Sequence, residues 1–145
     1  MGRILAIDFG KKRVGLAVSD PLQIVANGLA TVPASSIWEY LKDYFDKEKI
    51  DEVVIGYPVQ MNNEPSEAVL FIDPFIKSFR KKYPDIRLEL TDERFTSKIA
   101  YKTMIAGGLK KKARQNKGTV DLISATIILQ SYMEHKRYIK NNFSE

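Results

Sequence analysis

The feature that constrains this chain most is a short apolar run, Ile4-Leu5-Ala6-Ile7, that stops at an acid, Asp8. Neighbouring side chains on a strand point to opposite sides, so a strand that is apolar at every position has both faces covered. It therefore belongs inside a layered α/β sheet, and the acid at its end falls at the sheet's rim. Ligands of open α/β sheets gather beyond the carboxyl ends of strands, where such an acid meets solvent and substrate. An Asp shortly before a Gly is also ordinary turn chemistry, so Asp8-Phe9-Gly10 decides nothing alone.

A second apolar run, Arg13 to Ser19, follows the turn residues Gly10-Lys11-Lys12 and completes a β-hairpin. Ile24 to Val32, after the turn signal Asp20-Pro21, predicts a third strand of the same meander, ended by Pro33. From Ser35 the period becomes helical: Ile37, Trp38, Leu41, Tyr44 and Phe45 share a face, with Ser35 or Ser36 placed as the cap. Val53 to Gly56 reads as a buried strand. Val69, Ile72, Ile76 and Phe79 mark a second helix, ending near Arg80-Lys81-Lys82 and Pro84. Ile86 to Leu90 is the next strand. A third helix is expected from Thr96 or Ser97 to Gly107-Gly108, and a last one from about Gly118, with Asp121, Ala125, Ile128 and Tyr132 on one face. Ser124 and Ala125 would let that helix lie close to a sheet. Hairpin-linked strands followed by alternating helices and strands predict a mixed five-stranded sheet with helices on both faces.

The 145 residues, 44% of them hydrophobic, suffice for one core and not for two ordinary domains. We expect one domain over residues 1–138 and a flexible C-terminal tail over 139–145, with the hold loosening from Lys136. The hydrophobic run at the start is far shorter than the roughly 20 residues of a membrane span and shorter than a signal-peptide core, which predicts a cytoplasmic protein with no membrane partner. A formal charge of +5 suits a polyanion such as nucleic acid. With no cysteine, any metal must be held by oxygen ligands or by the single histidine, His135. His135 lies on a polar stretch of the last helix and reads as a surface residue.

Three acids stand where chemistry could gather. Asp8 ends one strand, Glu93 lies just past the strand Ile86 to Leu90, and Asp121 sits in the first turn of an apolar helix. Each also has a plain structural reading, as a turn residue or an acid favoured by a helix dipole. Two strand ends and a helix start in a layered sheet can bring the three together, and their mutual repulsion is offset by a hard cation such as Mg²⁺ or Mn²⁺. Such ions assist phosphodiester cleavage. Lys11, Lys12 and Arg13 flank Asp8 and could meet phosphates, or could form a solvated hairpin tip. Arg94 could bind substrate phosphate or pair with Asp92. Lys110, Lys111, Lys112, Arg114 and Lys117 form a basic run that could clamp a nucleic-acid backbone without reading its sequence. Trp38, Tyr40 and Tyr44, at helical spacing, read as core rather than as base-stacking platforms.

The segment Ile7-Asp8-Phe9-Gly10-Lys11-Lys12-Arg13-Val14-Gly15-Leu16-Ala17 closely resembles the YqgF/RuvX family of pre-16S rRNA nucleases and Holliday-junction-resolvase-like proteins. Gly56-Tyr57-Pro58-Val59-Gln60-Met61, Asp92-Glu93-Arg94-Phe95-Thr96-Ser97 and Lys117-Gly118-Thr119-Val120-Asp121-Leu122-Ile123-Ser124-Ala125 are similar to three further family segments, in order along the chain. The chain departs from the family pattern at Asn63, Ser97 and Ser124, all small or turn-compatible changes. The resemblance implies a ribonuclease-H-like fold and a metal-dependent nuclease site with Asp8, Glu93 and Asp121 in the acidic positions. It also implies a role in maturing the 5′ end of small-subunit ribosomal RNA. A resolvase cutting four-way DNA is the nearest alternative, and a homodimer rather than a monomer would favour it. A nucleotide-binding relative of the actin and sugar-kinase folds shares an Asp-x-Gly loop, but those proteins close two such domains around a nucleotide, and one is expected here. A non-catalytic RNA-binding module would tolerate neutralised acids.

Overall fold

The computed structural model describes residues 2–57, 69–92 and 117–143. Along the chain these form β1 (Arg3–Phe9), β2 (Arg13–Ser19), β3 (Ala26–Pro33), α1 (Ile37–Lys47), β4 (Ile50–Tyr57), α2 (Val69–Lys82), β5 (Arg87–Asp92) and α3 (Lys117–Phe143). The helix expected between Thr96 or Ser97 and Gly107-Gly108 lies outside the described residues.

The strands make one mixed sheet in the order β3-β2-β1-β4-β5. β1, β2 and β3 form an antiparallel meander, while β4 and β5 run parallel to β1. The first hairpin turns on Lys11 and Lys12, closed by the Gly10 amide donating to the Arg13 carbonyl at 2.9 Å. A Cβ at Gly10 would stand 2.7 Å from that carbonyl oxygen, so the tight closure requires glycine. β3 starts at Ala26 rather than at Ile24. The amides of Ile24 and Val25 are taken by the Asp20 side chain, which removes them from strand pairing. α1 is entered through a 3₁₀ turn, Ala34–Ser36, and Ser36 at its start makes no side-chain capping bond.

Alternation along the central strands divides the core in two. Leu5, Ile7, Val53 and Ile55 face α1 and α2, where they meet Ile37, Leu41, Ile72 and Phe79. Ile4, Ala6, Ala17 and Val54 face α3, where they meet Ala125, Ile128, Leu129 and Met133. The expectation of helices on both faces is met by α1 and α2 on one side and α3 on the other. Trp38 lies over Phe75, ring centroids 4.8 Å apart, so this aromatic belongs to the core as its spacing predicted. Small residues set the closeness of α3: Ala6, Ala17, Ser124 and Ala125 are buried. A Cβ at Gly28 would meet Leu122 of α3 at 3.0 Å, so β3 and the helix are in close approach there too.

The later part of α3 is fixed by a buried acid. Glu52 of β4 is 4% exposed. Its carboxylate accepts the Tyr132 hydroxyl at 2.7 Å and pairs with the Lys136 ammonium, with the Arg87 Nε at 3.8 Å. Burial, and then the bond to this carboxylate, hold the Tyr132 hydroxyl above its ordinary pKa. Lys136, where the sequence suggests a loosening hold, is thus anchored, and α3 continues to Phe143.

Candidate active site

Asp8 is the penultimate residue of β1 and pairs with Gly15 of β2, which in turn pairs with Thr31 of β3. On the other side of β1 the register runs Ala6 to Val54 and Ile7 to Ile55, which brings Gly56 alongside Asp8. Gly56 pairs with Thr91 of β5. One row across the sheet therefore reads Thr31, Gly15, Asp8, Gly56, Thr91. Asp8 shares the parity of Ile4 and Ala6, so this row lies on the side of the sheet covered by α3. The half-buried Asp8 is flanked on both strands by glycines, Gly15 and Gly56, which are themselves buried.

The first turns of α3 run over the same region. Leu122 abuts Gly28, which pairs with Ala17, and Ala17 pairs with Ala6, one alternation back from the Asp8 row. Asp121 immediately precedes Leu122 and lies one helical turn before the fully buried Ala125. Its backbone thus stands on the sheet-facing stripe of α3. Lys117 is the first residue of that helix. The side chains of Asp121 and Lys117 lie outside the described residues, as do Glu93 and Arg94 entirely. Glu93 directly follows Asp92, the last residue of β5, so the chain leaves the sheet for Glu93 at the carboxyl edge that Asp8 occupies. With β4 between them, the β1 and β5 axes are about 10 Å apart, and Gly56 keeps that interval free of a side chain.

Lys11 and Lys12 are exposed on the hairpin turn at this edge. Arg13 begins β2 opposite Pro33 and is half-buried. His135 is exposed on α3, next to Lys136 at the opposite end of the sheet, as expected for a surface residue. Among the described residues no group of three or more acids and histidines gathers as a metal site would. Among the described residues the carboxylate at this edge on the α3 side is that of Asp8, and with no cysteine in the chain and His135 at the other end, oxygen donors of this kind fit a hard divalent cation and not a soft one. Gly15 and Gly56 are the neighbours of Asp8 to which sequence reasoning gives no role of their own. A two-residue turn at Lys11-Lys12 makes the hairpin symmetric about it, and that symmetry alone places Gly15 opposite Asp8.

A family model described as "RuvX: Holliday junction resolvase" matches residues 2–135. The chain belongs to the RuvX family. This RuvX chain is 58% identical over 139 residues to a Phocaeicola vulgatus protein named "Putative pre-16S rRNA nuclease", covering 96% of this chain and 100% of that one. A Flavobacterium johnsoniae protein of the same name is 53% identical over 138 residues, covering 95% and 100%. Among solved structures, T. thermophilus RuvC in complex with a Holliday junction substrate superposes with a TM-score of 0.56 at 14% identity, over 94% of this chain and 97% of that one. The fold of this RuvX member is ribonuclease-H-like, as the four sequence segments implied. No described helix is long and apolar enough to cross a membrane.

Proposed function

We propose that this chain is a metal-dependent nuclease that hydrolyses phosphodiester bonds of precursor 16S rRNA, with Asp8, Glu93 and Asp121 as its catalytic acids and metal ligands. The observation that carries the reading is the position of Asp8. It stands at the carboxyl end of the central strand, between two glycines, on the face over which the helix bearing Asp121 begins. Glycine on both neighbouring strands lets an ion and a phosphate approach this carboxylate more closely than any larger neighbour would.

Mg²⁺ or Mn²⁺ is the cation this oxygen donor set suits. When bound, such a cation supplies Lewis acidity to the scissile phosphate and neutralises charge that builds in the transition state. Lys11 and Lys12, exposed at the same edge, hold the substrate's phosphates, joined by Arg13, Arg94 and Lys117. Their contribution is salt-dependent and independent of base sequence. The second reading, a resolvase acting on four-way DNA, is favoured by the description of the family model that spans most of the chain.

The test is to incubate the purified protein with Mg²⁺ or Mn²⁺ and labelled precursor RNA, single-stranded DNA or a four-way junction, beside Asp8→Asn. RNA cleavage that needs the metal and vanishes in Asp8→Asn is expected. Symmetric cutting of the junction in its place would promote the resolvase. Binding without cleavage, unaltered in Asp8→Asn, would remove the catalytic reading.

A further inference from the structure

At the end of the sheet away from Asp8, the connection from β2 to β3 displays Leu22, Ile24 and Val25 at 68%, 56% and 51% exposure. Single exposed aliphatic residues are common, but three within four positions on a rigid backbone form a patch. The rigidity is visible bond by bond. The Asp20 carboxylate accepts the amides of Ile24 at 2.7 Å and Val25 at 2.8 Å, and the Asp20 carbonyl accepts the amide of Gln23 at 2.9 Å. The Gln23 side chain donates to the Gly2 carbonyl at 2.8 Å. The buried Ser19 hydroxyl donates to the Asp20 carbonyl and accepts the Ile4 amide. Gln23 is held at φ 59°, the left-handed region, which costs about 1 kcal/mol for a residue of this kind. A loop held this firmly presents its apolar side chains without having to order them on contact.

The patch forms one wall of a groove of about 390 Å³, lined also by Ile4, Met133, Lys136 and Arg137. A smaller recess of about 190 Å³ lies on the other side of Ile24 and shares Met133 and Arg137. Ile24 thus borders two hollows of mixed, mainly apolar lining, each with the same guanidinium at its border. Lys136 is engaged by Glu52, whereas Arg137 meets no carboxylate among the described residues and has the Met133 carbonyl at 3.4 Å.

We propose that this groove docks a short segment of another protein, one that alternates apolar and acidic side chains. Its apolar groups would enter the hollows over Ile4 and Met133 and a carboxylate would pair with Arg137. Charge complementarity selects this occupant. A second copy of this chain, meeting the first about a two-fold axis through the groove, would set Arg137 against Arg137. Among the described residues the groove is lined by aliphatic, amide and cationic side chains and no aromatic ring, so they offer bases nothing to stack on. The site is independent of the nuclease assignment, since it lies at the other end of the sheet.

The probe is a fluorescein-labelled peptide of alternating leucine and glutamate, titrated by anisotropy into the full chain beside its leucine and lysine counterpart. Methionine-methyl NMR reports on Met133. The acidic peptide is expected to bind, to shift the Met133 methyl, and to lose roughly tenfold or more in affinity with Arg137→Glu. Ile24→Ser, a change at an exposed position that spares the fold, is expected to weaken it as well, while Asp8→Asn binds as before. Equal binding of the lysine peptide, indifference to both substitutions, or no binding by either peptide would overturn the proposal. So would a concentration-dependent Met133 shift without peptide, which assigns the groove to a second copy, or displacement of the peptide by RNA.

Discussion

The clamp between α3 and β4 can be tested with one atom. Tyr132→Phe removes the hydroxyl that donates to Glu52 at 2.7 Å and leaves the ring in place. The bond ends on a carboxylate whose side chain is 6% exposed, and hydrogen bonds to charged groups contribute about 1.5–3 kcal/mol. Among the described residues, removal also leaves one carboxylate oxygen with only the Arg87 Nε at 3.8 Å, too far for a hydrogen bond of its own. The expected loss is about 2 kcal/mol. With a urea slope of about 2 kcal/mol per molar, the midpoint should fall by roughly 1 M at unchanged slope. The alkaline limb supplies a second readout. Because the folded protein holds the Tyr132 hydroxyl above the ordinary value of 10.0, the unfolded chain loses that proton first as pH rises. This contribution is whole below about pH 10 and is lost as pH climbs toward the folded value, and Tyr132→Phe should lack that part of the decline. A midpoint within about 0.2 M of the parent would refute the reasoning, since it would mean that the carboxylate oxygen is satisfied without Tyr132.

Gly15→Ala places a methyl beside Asp8 on the α3 side, and nuclease turnover should fall roughly a hundredfold while the thermal midpoint stays near that of the parent. Leu129→Ala, at a fully buried contact of α3 with the sheet, should cost about 3 kcal/mol by urea titration. The amides of Val25 and Ile24 hold the Asp20 carboxyl below its ordinary value, so its hold on the loop persists above that value and is lost as pH falls through the folded one. Asp20→Ala should therefore lower the protection of the Ile24 and Val25 amides against hydrogen exchange at neutral pH, relative to their intrinsic rates, as acid lowers that protection in the parent.

How far the sequence reveals this molecule depends on how local the cause is. β1 and its terminal acid are legible because an unbroken apolar run admits few other environments, and Ile37, Leu41 and Trp38 are legible because a helical stripe faces one core. Ile24 and Val25 mislead for the reverse reason: β-branched residues favour strands, but the Asp20 side chain takes their amides first. Ser36 looks like a cap and makes none, because the 3₁₀ turn before it already leads into α1. The pairing of Glu52 with Tyr132 and Lys136 leaves no local signal, since the partners are 80 and 84 residues apart. Asp8 ends β1 as the apolar run predicts, whereas the side chain of Asp121 and all of Glu93 and Arg94 lie outside the described residues, so the joining of the three acids remains an expectation from the sequence.

That long separation also governs what a partly open molecule can do. Closing so large a loop is entropically slow, so the sheet can pair before α3 docks, and the release of α3 disturbs no strand pairing. Its detachment would uncover Ala6, Ala17 and Val54 and carry the backbone of Asp121 away from the Asp8 row. An incompletely folded copy would keep its sheet and its cationic turn. On the proposed reading, damage at this end of the chain would leave a binder of polyanions that fails safe rather than a loose nuclease.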